Sequence, residues 1–170
     1  MAAGSTYTPI ATQTLSSAAA SVTFSSISGA YTDLVLVTNM AIAVVNGSIY
    51  IRFNGDSGNN YSYTNLYGDG SAVGSVRGTN ANKTYISWYV SPNTAVEAVS
   101  ITNIMNYSNA TTYKSFLSRG NRASASNSPG TEAIVGMWRN TAAITSFVVT
   151  ADSGNISSGS TFTLYGILAA

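Results

Sequence analysis

The sequence predicts an all-β protein, an antiparallel β-sandwich of jelly-roll type with about ten strands. Short runs of apolar, β-branched and aromatic residues recur along the chain, separated by clusters of Gly, Asn, Asp and Ser, which is the pattern of strands and turns. No window of about a dozen residues keeps a helical period with caps. Strands without a convincing helix favour two packed antiparallel sheets over an α/β layer fold, and a closed barrel is the structural alternative.

Alternation and burial patterns justify the individual strands. In "SIYIRFN" the period of two predicts that Ile49, Ile51 and Phe53 face the core while Tyr50 and Arg52 face outward. The run "DLVLV" does not alternate, which predicts a strand near the centre of a sheet. The predicted strands are Ser21–Ser26, Asp33–Met40, Ser48–Asn54, Tyr61–Tyr67, Lys83–Val90, Val96–Met105, Thr111–Ser118, Glu132–Arg139, Ile144–Thr150 and Thr161–Leu168.

The length of 170 residues suits one domain. Residues 21–170 are predicted to form the sandwich, and residues 1–20 an N-terminal arm that lies on a neighbour. Tyr7, Ile10 and Leu15 are the main apolar anchors of that arm. The stretch "RGNRASASNSPGTEA", residues 119–133, is predicted to be a long exposed loop, with a turn at Pro129-Gly130.

The polar residues are mostly uncharged. Charged residues make up 8% of the chain, whereas 26 Ser, 20 Thr and 16 Asn supply most of the hydrogen-bonding side chains. The formal net charge is +1, and it is spread without a run of either sign. Such a surface has little field to attract nucleic acid or anionic lipid, and no apolar run is long enough to span a membrane. We therefore expect no nucleic-acid partner and no membrane partner.

Histidine and cysteine are both absent, which removes the commonest general base and the commonest zinc ligands. Six carboxylates remain for a glycosidase-like mechanism, but none lies in a recognisable catalytic motif. Four of them occur at turns or strand ends, where bonding to local backbone N–H groups explains them: Asp33, Asp56, Asp69 and Asp152. The sequence predicts no enzyme, no catalytic residue, no metal and no cofactor.

The stretch "FNGDSGNNYSYTNLYGDG", residues 53–70, resembles a calcium loop in composition only. An EF-hand that began at Asp56 would need glycine at its sixth position and glutamate at its twelfth, and the chain has Tyr61 and Tyr67 there. Residues 54–60 are therefore predicted to be a turn between two strands, and "GDGSAVG" the next connection.

The tyrosines of "YSYTNLY" leave three interpretations open. Tyr61, Tyr63 and Tyr67 share one face of the predicted strand, which gives a row of rings with apolar bodies and polar tips. Such a row can bind a sugar, fill an oligomer interface or belong to the sandwich core.

Several stretches in order along the chain resemble a family of small virion proteins of tailed bacteriophages, common among phages of cyanobacteria and other aquatic hosts. They span nearly the whole chain: "YTPIATQTL", "YTDLVLV", "IRFNGDSGNNYSYT", "IMNYSNATTYKSFLSR", "VGMWRNTAAITSF" and the C-terminal "GSTFTLYGI". The resemblance implies a β-sandwich or jelly roll without enzymatic activity, either a capsid decoration (cement) protein or a tail-fibre protein.

A cement protein of this kind is expected to bind the major capsid protein at capsomer junctions as a homotrimer, on the outside of the virion, after synthesis in the host cytoplasm. Contacts are expected through the arm residues Tyr7, Ile10 and Leu15 and through the tyrosine row. The alternative is a tail-fibre or receptor-binding tip that binds a surface glycan. The chain has neither heptads nor a collagen-like repeat for a shaft, which favours the cement interpretation.

Overall fold

The structure, a computed structural model, describes residues 6–44, 47–88, 97–122 and 129–168. Within these ranges every regular element is a β-strand, and all pairings are antiparallel. The strands are β1 (Tyr7–Thr14), β2 (Ser21–Phe24), β3 (Asp33–Met40), β4 (Ile49–Phe53), β5 (Tyr61–Gly68), β6 (Val73–Ala81), β7 (Thr84–Ser87), β8 (Ala98–Met105), β9 (Lys114–Arg122), β10 (Gly130–Trp138), β11 (Phe147–Ala151) and β12 (Thr161–Ile167). The predicted all-β class is confirmed.

The strands form two sheets that pack as a sandwich. The larger sheet has eight strands in the order β1-β12-β3-β8-β9-β10-β5-β6, and the smaller has four in the order β2-β11-β4-β7. A jelly roll divides its eight strands between two sheets. The finer expectation of a jelly roll is thus not confirmed by the observed division into eight and four strands.

All ten predicted strands overlap an observed strand, and β3 has the predicted bounds. The described ranges contain two further strands: β1, which lies in the segment predicted to be an arm, and β6, whose first two residues fall in the predicted connection "GDGSAVG" and the rest in no predicted element. Some predicted features fall on residues outside the described ranges: the end of the strand predicted to reach Val90, the start at Val96, and the middle of the loop at 119–133. The prediction of an exposed loop is wrong at both ends of that stretch, because residues 119–122 belong to β9 and Gly130 begins β10.

The core lies between the two sheets and is aromatic at its centre. β4 alternates as predicted, with Ile49, Ile51 and Phe53 buried and the two residues between them half-buried. The ring of Phe53 lies 5.7 Å from that of Trp138 and 6.1 Å from that of Phe116, measured between centroids. Phe53 therefore connects the smaller sheet to β9 and β10 of the larger one.

Hydroxyl groups fill part of this interior. Thr38 and Ser100 share a hydrogen bond of 2.7 Å, and Thr102 donates to Ser118 at 2.9 Å. Ser118 in turn donates to the Ile86 carbonyl of the smaller sheet at 2.7 Å. Because these side chains are buried, each bond removes the cost of an unsatisfied polar group. Part of the large Ser and Thr content thus serves the interior.

The N-terminal segment belongs to the larger sheet. β1 pairs along its length with β12, and the register shifts between Pro9 and Ala11. Ile10 and Leu15 pack against the core of the same chain. The segment expected to be an arm therefore supplies the edge strand of the sheet from Tyr7 to Thr14.

Candidate functional site

The loop that resembles a calcium site uses its aspartate to fix its own turn. Asp56 accepts hydrogen bonds from the Gly58 N–H at 2.8 Å, the Asn60 amide at 2.9 Å and the Trp138 indole N–H at 2.7 Å. Desolvation raises the pKa of Asp56, but the three hydrogen bonds outweigh it, so the pKa lies below its ordinary value. The carboxylate oxygens are thus occupied by protein donors, which supports the prediction of a structural turn.

The other carboxylates also have protein partners. Asp33 accepts from the Asn106 N–H at 2.5 Å, and Asp69 accepts from the Ala72 N–H at 2.7 Å. Asp152 pairs with Lys83. Among the described residues no group of three or more His, Cys, Asp or Glu side chains lies close enough to hold a metal ion.

The first residue of the tyrosine row is part of the core. Tyr61 is fully buried, and its ring stacks on Phe53 at 6.4 Å between centroids. Its hydroxyl accepts from the Phe53 N–H and donates to the Asp56 carbonyl, each at 3.0 Å. Burial raises the pKa of Tyr61 to about 12. This residue is therefore not available to a partner.

Tyr63 and Tyr67 cover glycines of the edge strand β6. Tyr63 is paired with Gly78, and Tyr67 with Gly74. A Cβ atom placed on Gly78 would lie 2.5 Å from the Tyr63 ring, and one on Gly74 would lie 2.6 Å from the Tyr67 hydroxyl. The rings occupy the space that side chains of β6 would fill, an arrangement that stabilises glycine at sheet edges.

Tyr63 also joins a small aromatic cluster. Its centroid lies 5.3 Å from that of Tyr85 and 5.1 Å from that of Trp88, and the latter two rings are 4.3 Å apart. The Tyr85 hydroxyl donates to Asp152 at 3.2 Å. Because the three rings pack against one another, their faces are largely used within the chain rather than offered as a stacking platform for a sugar.

The outer face of the larger sheet, which points away from the smaller sheet, is the strongest candidate for a binding surface. Of the nine large apolar side chains that are exposed in the described ranges, seven lie on this face. They are Tyr7, Leu66, Val73, Val99, Ile101, Met105 and Val135. The remaining two, Tyr113 and Leu168, lie just outside strands β9 and β12.

Strand β8 shows that this face is unusual. Its inward positions include the hydroxyl residues Ser100 and Thr102, whereas its outward positions include Val99, Ile101 and Met105. A strand with one solvated face normally has the opposite polarity. The sequence of β8 therefore favours an outer face that is covered in the functional state.

Neighbouring strands extend the apolar surface across the sheet. Leu66 of β5 lies beside Ala133 of β10, and Val135 lies beside Leu117 of β9. Leu66, Ala133 and Val73 also line a concavity of about 680 Å³, together with Arg119. We call the outward-facing residues of β3, β5, β6, β8, β9, β10, β12 and β1 the outer face.

Charge is scarce on the outer face. In its strands the outward positions carry Arg77, Arg119 and Asp33. Asp33 already accepts the Asn106 N–H at the end of its strand. A partner that binds the outer face would therefore contact mainly aliphatic side chains, hydroxyls and amides.

The residues predicted to make contacts lie in three different parts of the structure. Tyr7 lies on the outer face, 53% exposed, with its ring 6.1 Å from that of Tyr165. Ile10 and Leu15 face the core, as does Tyr61, and Tyr63 and Tyr67 cover the glycines of β6. The outer face is not among the predicted interaction sites, although the inverted polarity of "AVSITNIM" is a signal for it.

Within the parts of the chain that the structure describes, there is no helix of the length and hydropathy needed to cross a membrane. Comparison of the chain with protein-family models, with curated proteins and with solved structures finds no significant match in any of the three.

Proposed function

We propose that the chain is a structural protein of a bacteriophage virion, a capsid decoration protein that binds the exterior of the shell through the outer face. The family resemblance of the sequence suggests the phage origin. The observation that carries the choice of surface is the concentration of exposed aliphatic side chains on one face of the larger sheet.

The dimensions of the outer face suit a stable contact. Eight strands at about 4.8 Å spacing span nearly 40 Å, and eight residues of a strand span about 25 Å. A standard interface buries about 800 Å² on each partner, which is of the same order as this face. Leu66, Ile101 and Val135, which are 38–58% exposed, would supply apolar contacts across it.

The scarcity of charge determines how the contact should respond to salt. Surface ion pairs weaken when salt screens them, whereas apolar contacts do not. Attachment to the shell should therefore persist at high ionic strength.

The experiment compares binding to shells from a phage that lacks the gene for this chain. Leu66→Asn and Val135→Asn place polar groups within the apolar part of the outer face and should each weaken binding by about tenfold or more, which is at least about 1.4 kcal/mol. Thr23→Asn, at an exposed position of the smaller sheet, is the control and should bind as the native chain does. Equal binding by all three variants would contradict the proposed surface.

The location of the protein on phage particles distinguishes a capsid decoration protein from a tail-fibre protein. Location on tails, with competition between the free protein and phage for host cells, would replace the proposal with the tail-fibre alternative and its glycan partner.

A further inference from the structure

The outer edge of β6 is open. β6 is the last strand of the larger sheet, and within the described ranges no strand pairs with its second edge. The hairpin that leads into it is closed by a hydrogen bond from the Asp69 N–H to the Ala72 carbonyl at 3.1 Å. Because hydrogen-bonded and non-hydrogen-bonded pairs alternate along an antiparallel ladder, the backbone groups of Val73, Ser75 and Arg77 point away from β5.

This edge lacks most of the devices that keep sheet edges from pairing. Proteins protect edges with proline, charge, bulges or short strands. The opposite edge, β1, contains Pro9 and a register shift beside it. β6 has nine residues, no proline, one charge at Arg77, and a register shift confined to its last residues, near Asn80. Its first five residues, from Val73 to Arg77, are therefore a regular, open template.

β6 is held in place by side chains of its neighbour β5. The rings of Tyr63 and Tyr67 lie against Gly78 and Gly74, so that β6 is fixed to β5 although it has few side chains of its own to pack. A fixed strand loses little entropy when another strand joins it, which favours association.

We infer that β6 pairs with β6 of a second copy of this chain around a two-fold axis that passes beside Ser75. In this register Ser75 faces Ser75 of the other copy, and Val73 faces Arg77. Val73, Ser75 and Arg77, whose backbone groups point away from β5, then all join hydrogen-bonded pairs with the other copy. The outer faces of the two copies form one continuous surface. This contact is isologous, as in most soluble dimers.

Charge and exposure favour this register over those with the axis at Arg77 or at Val73. A two-fold axis at Arg77 would set two arginines directly opposite, which is destabilising in a sheet. An axis at Val73 would leave most of the template unpaired. With the axis at Ser75, the aliphatic part of Arg77 in one copy covers Val73 of the other copy. Val73 is 90% exposed in the single chain.

The inference does not depend on shell binding, and it differs from the three-fold assembly expected from the family resemblance. Sedimentation of the native chain should give a concentration-dependent mass that approaches twice the chain mass of 17.6 kDa. A mass that stays at the monomer value, or that approaches the trimer value, would overturn it.

Substitutions of Val73 test the register, and their folding is not at risk because the side chain is exposed. Val73→Lys sets a lysine opposite Arg77 of the other copy and should weaken the dimer by about tenfold or more. Val73→Glu should dimerise at least as well as the native chain, and the double variant Val73→Lys/Arg77→Glu should recover what Val73→Lys loses. Equal effects of the lysine and glutamate variants would contradict the register.

Crosslinking gives an independent readout because the chain has no cysteine. Directly opposed residues of a hydrogen-bonded pair have Cα atoms about 5.5 Å apart, within the range of a disulfide. Ser75→Cys should therefore form a disulfide-linked dimer on mild oxidation. Thr64→Cys, exposed on β5 away from the edge, is the control and should stay monomeric under the same conditions. Equal crosslinking of the two variants would overturn the inference.

Discussion

Tyr63 of β5 lies so close to Gly78 of β6 that a Cβ atom on the glycine would be 2.5 Å from the tyrosine ring. The ring thus replaces the missing side chain, and the edge strand depends on a residue of its neighbour. Tyr67 and Gly74 repeat the relationship four residues away.

Gly78→Ala should therefore destabilise the protein. The added methyl group forces the Tyr63 ring aside, and overpacking of this kind costs about 1–3 kcal/mol in the free energy of unfolding. Denaturant unfolding measures the change. Gly29→Ala is the matched control, since the nearest atom to its Cβ would be 3.8 Å away, an ordinary contact distance.

The double variant tests the pairing itself. In a Tyr63→Ala background the space above Gly78 is empty, so that Gly78→Ala should cost little there. Additive effects of the two substitutions would show that the ring and the glycine are not coupled.

Asp56 should make stability fall in acid. Its pKa is lowered in the folded state, so its contribution is complete above the ordinary value of 3.8 and is lost as the pH falls through the folded value. Asp56→Asn keeps the shape but weakens the bond from the Trp138 indole, and should lower stability at pH 7 by about 1–3 kcal/mol. Its unfolding free energy should also vary less than that of the native chain on acidification. An unchanged acid dependence would assign that dependence to other groups.

Tyr61 should make stability fall in alkali. Burial raises its pKa from 10.0 to about 12, so the folded state keeps the proton that the unfolded state loses. Stability is therefore complete below pH 10 and decreases as the pH rises toward 12. Tyr61→Phe should show a shallower decrease over this range, measured by denaturant unfolding at several pH values. The absorbance of phenolate should reveal one fewer late-ionising tyrosine in the variant; an equal number would contradict the assignment.

Removal of residues 1–16 should destabilise the sandwich rather than detach an arm. The deletion eliminates β1, exposes the edge of β12, and removes Ile10 and Leu15 from the core. We expect a lower melting temperature and more aggregation. Ile10→Ala should reproduce part of the loss, about 1–2 kcal/mol for a half-buried side chain, whereas Thr12→Ala at an exposed position should cost much less. A deletion that melts like the intact chain would restore the arm interpretation.

The sequence predicts the fold where local pattern and tertiary context agree. β3 is predicted with its observed bounds because most of its residues are apolar, and most are buried. The turn after Phe53 is predicted from the glycines at 55 and 58, which tolerate positive φ; of the two only Gly55 adopts it, beside Asn54. In both cases the local residues suffice.

β6 does not follow from its own residues, because its stability comes from another strand. Glycine is depleted in strands, and "VGSVRGTNA" contains two glycines and few apolar residues. The sequence signal for β6 is a shared spacing: Tyr63 and Tyr67 are four residues apart, as are Gly74 and Gly78, so one hairpin register brings both pairs together. The outer face is only partly signalled in the sequence: the polarity of β8 marks one strand of it, but which strands share that face depends on the order of strands in the sheet.

The most direct test of the proposed function is a three-dimensional reconstruction of virions that carry the chain. We expect density for a two-sheet sandwich on the shell exterior, with Leu66, Ile101 and Val135 of the larger sheet directed toward the major capsid protein. Density for the sandwich on the tail, or on the shell with the outer face toward solvent, would contradict the proposal.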